Sequence, residues 1–125
     1  MDKKRVLMVD DDTDIAKMVR VRMEAEGYEF ISITEGRGLL DTLKIKKPDV
    51  ILLDIMLPDM DGYSILREMR KRDEYADIPV IVLSAKEKKK VGDLFALEKV
   101  RFFMEKPFDI KELMDKIKSL TAEKR

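Results

Sequence analysis

The sequence predicts an α/β protein: five parallel strands in one sheet, with helices on both faces. Three observations predict it. Val50-Ile51-Leu52-Leu53 is an unbroken apolar run, and so are residues 6–9 and 80–83; such runs suit strands buried on both faces. Segments of helical period lie between these runs, the alternation that parallel sheets require. The apolar runs also end on polar groups, at Asp10, Asp54 and Ser84. A carboxylate does not belong inside a buried strand, so Asp54 is placed at the carboxyl end, facing the crevice where open α/β sheets bind ligands. Taken alone, Asp54 has a plainer and less favoured reading as an Asp that merely starts a turn.

Residues 6–9 form the first strand, followed by Asp10, Asp11 and Asp12. A helix over 14–25 follows, capped by Asp12 or Thr13, with Ile15, Met18, Val19 and Met23 on its apolar side and Gly27 as its stop. Residues 29–34 alternate loosely and read as a more exposed strand at a sheet edge. A helix over 37–46 ends at Pro48. The Asp54 strand then leads through Pro58 and Asp61-Gly62, a turn, to a helix over 63–72 carrying Ile65, Leu66 and Met69. Residues 80–83 form the fourth strand, 87–97 a weaker helix, and 102–104 a short fifth strand running into Glu105-Lys106-Pro107. The last helix, 110–120, has an apolar face of Ile110, Leu113, Met114, Ile117 and Leu120.

With 125 residues the chain reads as one domain over 1–125, its core about 5–120. Lysine plus arginine balance aspartate plus glutamate at 26 each, so no global field favours nucleic acid or an anionic membrane. No apolar run approaches a membrane span and no signal peptide is visible, so a cytoplasmic location is expected. Charged residues make up 42% and Cys, His, Trp, Asn and Gln are absent. That depletion resembles thermophile composition, although nine methionines pull the other way. Without Cys or His there is no thiol chemistry, histidine base or histidine metal site.

In a parallel sheet all carboxyl ends point one way, so Asp10, Asp11, Asp54, Ser84 and Lys106 converge on one crevice. Carboxylates without His or Cys suit a hard cation, and Mg²⁺ is the common choice. Without a cation the three acids repel, and at least one pKa should rise. Helix capping is the plainer role for Asp10 and Asp11, but Asp12 and Thr13 already supply it. A lysine and a hydroxyl beside the acids suit phosphoryl oxygens.

These residues resemble the CheY-like receiver domains of two-component response regulators. The resemblance rests on Val-Leu-Met-Val-Asp10-Asp11-Asp, Leu-Leu-Asp54-Ile-Met-Leu-Pro58-Asp-Met-Asp-Gly62, Val-Leu-Ser84-Ala85 and Glu-Lys106-Pro107-Phe108, in that order, and covers about residues 5–120. It implies a flavodoxin-like (βα)5 three-layer sandwich with strand order 2-1-3-4-5. It implies that Asp54 accepts a phosphoryl group from a phosphohistidine, and that Mg²⁺ is held by Asp10, Asp11, Asp54 and the backbone carbonyl of Met56. Lys106 would contact the phosphoryl oxygens, Ser84 and Phe103 would switch, and Lys106-Pro107 would be a cis peptide. Judged without the family, Phe103 reads as plain packing.

The donor would be a sensor histidine kinase or a histidine phosphotransfer protein, since this chain has no His. The resemblance admits an output domain or downstream protein and a homodimer on activation, with no turnover enzymology. The chain ends five residues after Leu120, so it is expected to be either a stand-alone receiver or one separated from an output domain; no nucleic-acid reader is visible. Two other functions compete. A receiver-like interaction module that is never phosphorylated would lack an acid, hydroxyl or lysine, and none is lost. An aspartyl phosphatase needs a second acid two residues after its nucleophile, where this chain has Met56.

The chain departs from the family pattern at Glu98-Lys99-Val100-Arg101, where a small pair is common, and in the lysines at 86 and 88–90. Those lysines crowd a helix start, where positive charge is disfavoured; they read as a solvated turn, with docking to an acidic partner the sharper alternative. Met56 and Lys86 occupy two positions that govern water access in the family, and they lead to an expectation of slow self-dephosphorylation.

Overall fold

Val50–Asp54 and Val80–Ser84 are buried at every position in the computed structural model, which describes residues 3–57, 62–85 and 100–122. The first is the central strand of a five-stranded parallel sheet and the second lies beside it. In chain order the elements are β1 (Arg5–Val9), α1 (Thr13–Ala25), β2 (Glu29–Ile33), a 3₁₀ turn (Gly36–Gly38), α2 (Leu39–Ile45), β3 (Val50–Asp54), α3 (Gly62–Arg70), β4 (Val80–Ser84), β5 (Phe102–Glu105) and α4 (Ile110–Ala122). The strand order is β2-β1-β3-β4-β5, all parallel. The predicted helix over 87–97, Lys86, Lys88 to Lys90, Glu98-Lys99, Pro58, Asp59 and Asp61 lie outside the described residues.

The apolar runs are continuous because alternate residues serve opposite faces. Leu7, Val9, Ile51, Leu53, Val80 and Val82 pack against Leu39 and Leu43 of α2 and Ile65, Leu66 and Met69 of α3. Val6, Met8, Val50, Leu52, Ile81 and Leu83 pack against Val19 and Met23 of α1 and Leu113, Met114, Ile117 and Leu120 of α4. This gives the three layers. Each fully buried aliphatic side chain contributes about 1.5–3 kcal/mol, whereas an exposed ion pair gives about 0–1 kcal/mol. The apolar layers therefore hold the crevice rigid, and surface pairs such as Arg20–Glu24 do not.

Asp12 caps α1, its side chain accepting from the backbone N–H groups of Asp14 and Ile15 at 3.0 and 3.1 Å. Gly27 ends the helix with φ 90°. The Tyr28 N–H donates to the Met23 carbonyl and the Gly27 N–H to the Glu24 carbonyl, the paired bonds of a Schellman turn. Ala16, Val19 and Met23 form the buried stripe of α1, while Met18, expected on that side, is 48% exposed. The 16, 19, 23 spacing follows the helical period better than one through Met18, and Ala16 was too small to stand out.

The second predicted helix begins later than its pattern suggests. Gly36 and Gly38 weaken a helical start, and residues 36–38 form a 3₁₀ turn before α2. At α3 the helix begins on Gly62 rather than after it. A Cβ on Gly62 would lie 2.5 Å from Ile55 Cα. Glycine is needed there for close approach to the end of β3. Arg70 closes the segment after α3 by donating to the carbonyls of Ala76 and Ile78, both at 3.0 Å.

Candidate functional site

The site is assembled at the carboxyl ends of β1, β3, β4 and β5. In-register pairing of β1 with β3 sets Val9 opposite Leu53, so Asp10 and Asp54 emerge side by side. Pairing of β3 with β4 and of β4 with β5 sets Asp54 opposite Leu83 and Ser84 opposite Glu105. The Lys106 N–H donates to the Ser84 carbonyl at 2.8 Å, which brings the lysine to the same rim. The Lys106-Pro107 peptide bond is cis.

Carboxylate oxygens of Asp10, Asp11 and Asp54 all lie within 4.8 Å of one another. Asp10 and Asp54 are buried, at 1% and 4% exposure, while Asp11 is exposed. The Lys106 ammonium donates to Asp10 Oδ2 at 2.7 Å and to Asp54 Oδ2 at 3.1 Å. Backbone donors take the other oxygens: the Asp12 N–H donates to Asp10 Oδ1 at 2.9 Å and the Met56 N–H to Asp54 Oδ1 at 2.8 Å. Each bond spans two residues, the turn in which an aspartate mimics a backbone carbonyl. The Asp54 turn matches the plainer reading of that residue and coexists with its place in the crevice, whereas the Asp10 turn escaped the sequence reading.

Burial raises the Asp10 pKa above 3.8; the hydrogen bonds from Lys106 and Asp12 oppose it only in part, and the neighbouring Asp54 charge adds to it. For Lys106, burial pulls its pKa down, but hydrogen bonds to Asp10 and Asp54 and their charges outweigh it and leave the ammonium above its ordinary 10.5. The two shifts are unequal partners of one contact. Lys106 gains from two carboxylates, whereas Asp10 bears both its own burial and a like charge.

Ser84 is fully buried at the end of β4, and Phe103 on β5 packs against the core layer that carries α2 and α3. Met56 is 49% exposed. The residues singled out at strand ends therefore share one rim, while Phe103 pairs with Val82, two residues short of it. Three carboxylates close together, in a chain without His or Cys, fit a hard divalent cation.

A doubly wound α/β sheet with an acidic crevice at the carboxyl ends of its strands, bridged by one lysine, defines a flavodoxin-like class of folds. The response regulator receiver domain model matches residues 6–118, and the chain belongs to that family. The chain is 34% identical over 125 residues to "Probable transcriptional regulator ycf27" of Cyanophora paradoxa, covering 96% of this chain. It spans about half, 49%, of that relative's length. The receiver domain of the Francisella response regulator 1452 superposes with a TM-score of 0.85 at 30% identity, over 96% of this chain and 98% of that one. A CheY-like response regulator receiver domain protein from Methanospirillum hungatei JF-1 superposes with a TM-score of 0.88 at 27% identity, over 97% and 96%.

Proposed function

We propose that the chain is a phospho-acceptor switch of a two-component system, with Asp54 as the acceptor. The observation that carries this reading is the Lys106 ammonium bridging Asp10 and Asp54 inside the three-carboxylate cluster. A carboxylate oxygen of Asp54 attacks phosphorus of a phosphohistidine. The new O–P bond forms as the N–P bond breaks, and the imidazole keeps the electron pair. Asp10, Asp11, Asp54 and the Met56 carbonyl would hold Mg²⁺, which supplies charge neutralisation for the transferring group. Lys106 exchanges its carboxylate contacts for phosphoryl oxygens. The Met56 N–H keeps the Asp54 side chain aimed throughout.

The product carries about one to two extra negative charges at a rim that includes Ser84 and Lys106. Ser84 and Phe103 are the proposed relay from this charge to a partner-binding face. The donor is a sensor histidine kinase or a histidine phosphotransfer protein, the receiver of the signal an output domain or downstream protein, and the setting cytoplasmic. The chemistry is self-modification rather than turnover. No helix among the described residues is long and apolar enough to cross a membrane.

The test is intact mass after incubation with acetyl phosphate and Mg²⁺, wild type beside Asp54→Ala. Wild type gains one phosphoryl group, and both the variant and chelated wild type gain none. No gain in wild type from either acetyl phosphate or a histidine donor would return the chain to an unphosphorylated interaction module.

A further inference from the structure

The chain has no Cys, His or Trp, so its thioethers are the side chains most open to two-electron oxidation. Burial sorts them. Met8, Met23 and Met69 are 0% exposed, Met114 1% and Met104 5%, against 48% for Met18 and 49% for Met56. Of the two exposed thioethers among the described residues, Met56 stands two residues from the proposed acceptor, with its own N–H donating to Asp54 Oδ1 at 2.8 Å. Its backbone is fixed to that carboxylate while half of its surface meets solvent at the same rim.

We infer that Met56 is a modification site: oxidation of its thioether by a peroxide makes the aspartyl phosphate on Asp54 shorter-lived. This rests on the phosphorylation reading above. In the oxidation the peroxide O–O bond breaks and one oxygen bonds to sulfur. Sulfur loses two electrons, the peroxide is reduced to water or an alcohol, and the product is the sulfoxide. A thioether is a weak hydrogen-bond acceptor, and water beside it is poorly oriented. The sulfoxide oxygen is a strong, polar acceptor and can hold a water by one of its protons. When that water attacks phosphorus, a new P–O bond forms and the P–O bond to Asp54 breaks. Asp54 leaves as a carboxylate, and the water's protons depart with inorganic phosphate. Met56 thus sets the clock of the switch, slow as a thioether and faster as a sulfoxide. Methionine sulfoxide reductases return it to the starting state.

The experiment treats wild-type protein with hydrogen peroxide and removes the oxidant. It then phosphorylates with acetyl phosphate and Mg²⁺, removes the donor and follows phosphoryl loss by intact mass. Peptide mapping locates each added oxygen. Met56 and Met18 are oxidised ahead of Met8, Met23, Met69, Met104 and Met114, and the phosphoryl lifetime of the oxidised protein shortens about tenfold, less than a full general base achieves. Met56→Leu shows the same lifetime with and without peroxide, while Met18→Leu and Met60→Leu keep the response. The inference is overturned if Met56 stays unoxidised while buried methionines react, if oxidised protein no longer accepts a phosphoryl group, or if its lifetime is unchanged or longer. If untreated wild type takes no phosphoryl group from acetyl phosphate or a histidine donor, the phosphorylation reading itself fails and takes this inference with it. The mapping still reports which thioethers react.

Discussion

The Lys106 ammonium donates to Asp10 Oδ2 at 2.7 Å, joining residues 96 apart in sequence. The Asp10 side chain is fully buried and that of Lys106 is 16% exposed. One cation thereby neutralises part of a three-carboxylate cluster that is otherwise repulsive.

Removing this cation leaves buried negative charge without its counter-charge. In chelator at neutral pH, Lys106→Ala is expected to lose about 1–3 kcal/mol of stability, the cost of an unsatisfied buried group, lower than for a fully buried pair because the carboxylates can take up protons. Adding Asp10→Asn to Lys106→Ala restores most of the loss. Urea unfolding of the two variants checks this, and equal stability of the single and double variants would refute it.

The raised pKa of Asp10 has a definite sign in pH. Its folded value exceeds the 3.8 of the unfolded chain, so the folded state binds more protons between the two values. The Asp10 contribution to the stability of metal-free protein should rise as pH falls through its folded pKa toward 3.8. Asp10→Asn removes that rise. Lys106 has the same sign in a higher window: its contribution is fully present below 10.5 and is lost as pH rises through its own raised value. Chemical denaturation across pH in chelator, wild type beside Asp10→Asn, separates the two.

Surface carboxylates set the acid limb. Ion pairing with Lys118 holds Glu26 below 4.5, and pairing with Arg5 and then Lys46 does the same for Glu29. Their contributions are present above 4.5 and fade as pH falls through the lowered folded values. Glu29→Gln should therefore weaken the protein at neutral pH and make no difference in strong acid. High salt should shrink the effect, since both groups are solvent-screened. Thermal unfolding at low and high ionic strength reads this directly.

Mg²⁺ should stabilise the folded chain by mass action. At about 100 times its dissociation constant the gain is about 2.7 kcal/mol. Asp11→Asn, which removes the exposed carboxylate of the cluster, should weaken Mg²⁺ binding while leaving metal-free stability nearly unchanged. Thermal shift with Mg²⁺ titration gives both readings. An equal Mg²⁺ shift in wild type and variant would exclude Asp11 as a ligand.

Gly62 is the least replaceable glycine near the site. An added Cβ would meet Ile55 Cα at 2.5 Å and Ile55 Cβ at 2.8 Å. Backbone stands in the way, so Gly62→Ala should cost about 1–3 kcal/mol through overpacking. Gly36→Ala meets the end of the flexible Ile65 side chain instead and should cost less. Unfolding free energies of the two variants rank them.

The layered sheet is legible in the sequence, because continuous apolar runs such as residues 50–53 have no solution in water except burial on two faces. The sequence also placed Asp10, Asp54, Ser84 and Lys106 at strand ends, since a polar group closing such a run cannot sit deeper. Strand order came from family resemblance rather than periodicity, because a period of two is blind to which strand lies beside which. The exposure of Met18 and burial of Ala16 come from tertiary packing, since the azimuth of α1 is fixed against the sheet face that carries Val6, Met8 and Phe30. Only the tertiary structure showed that Lys106 spans both buried aspartates and that Gly62 is held by contact with Ile55. Those facts depend on distances between residues far apart along the chain, and local pattern carries no record of such distances.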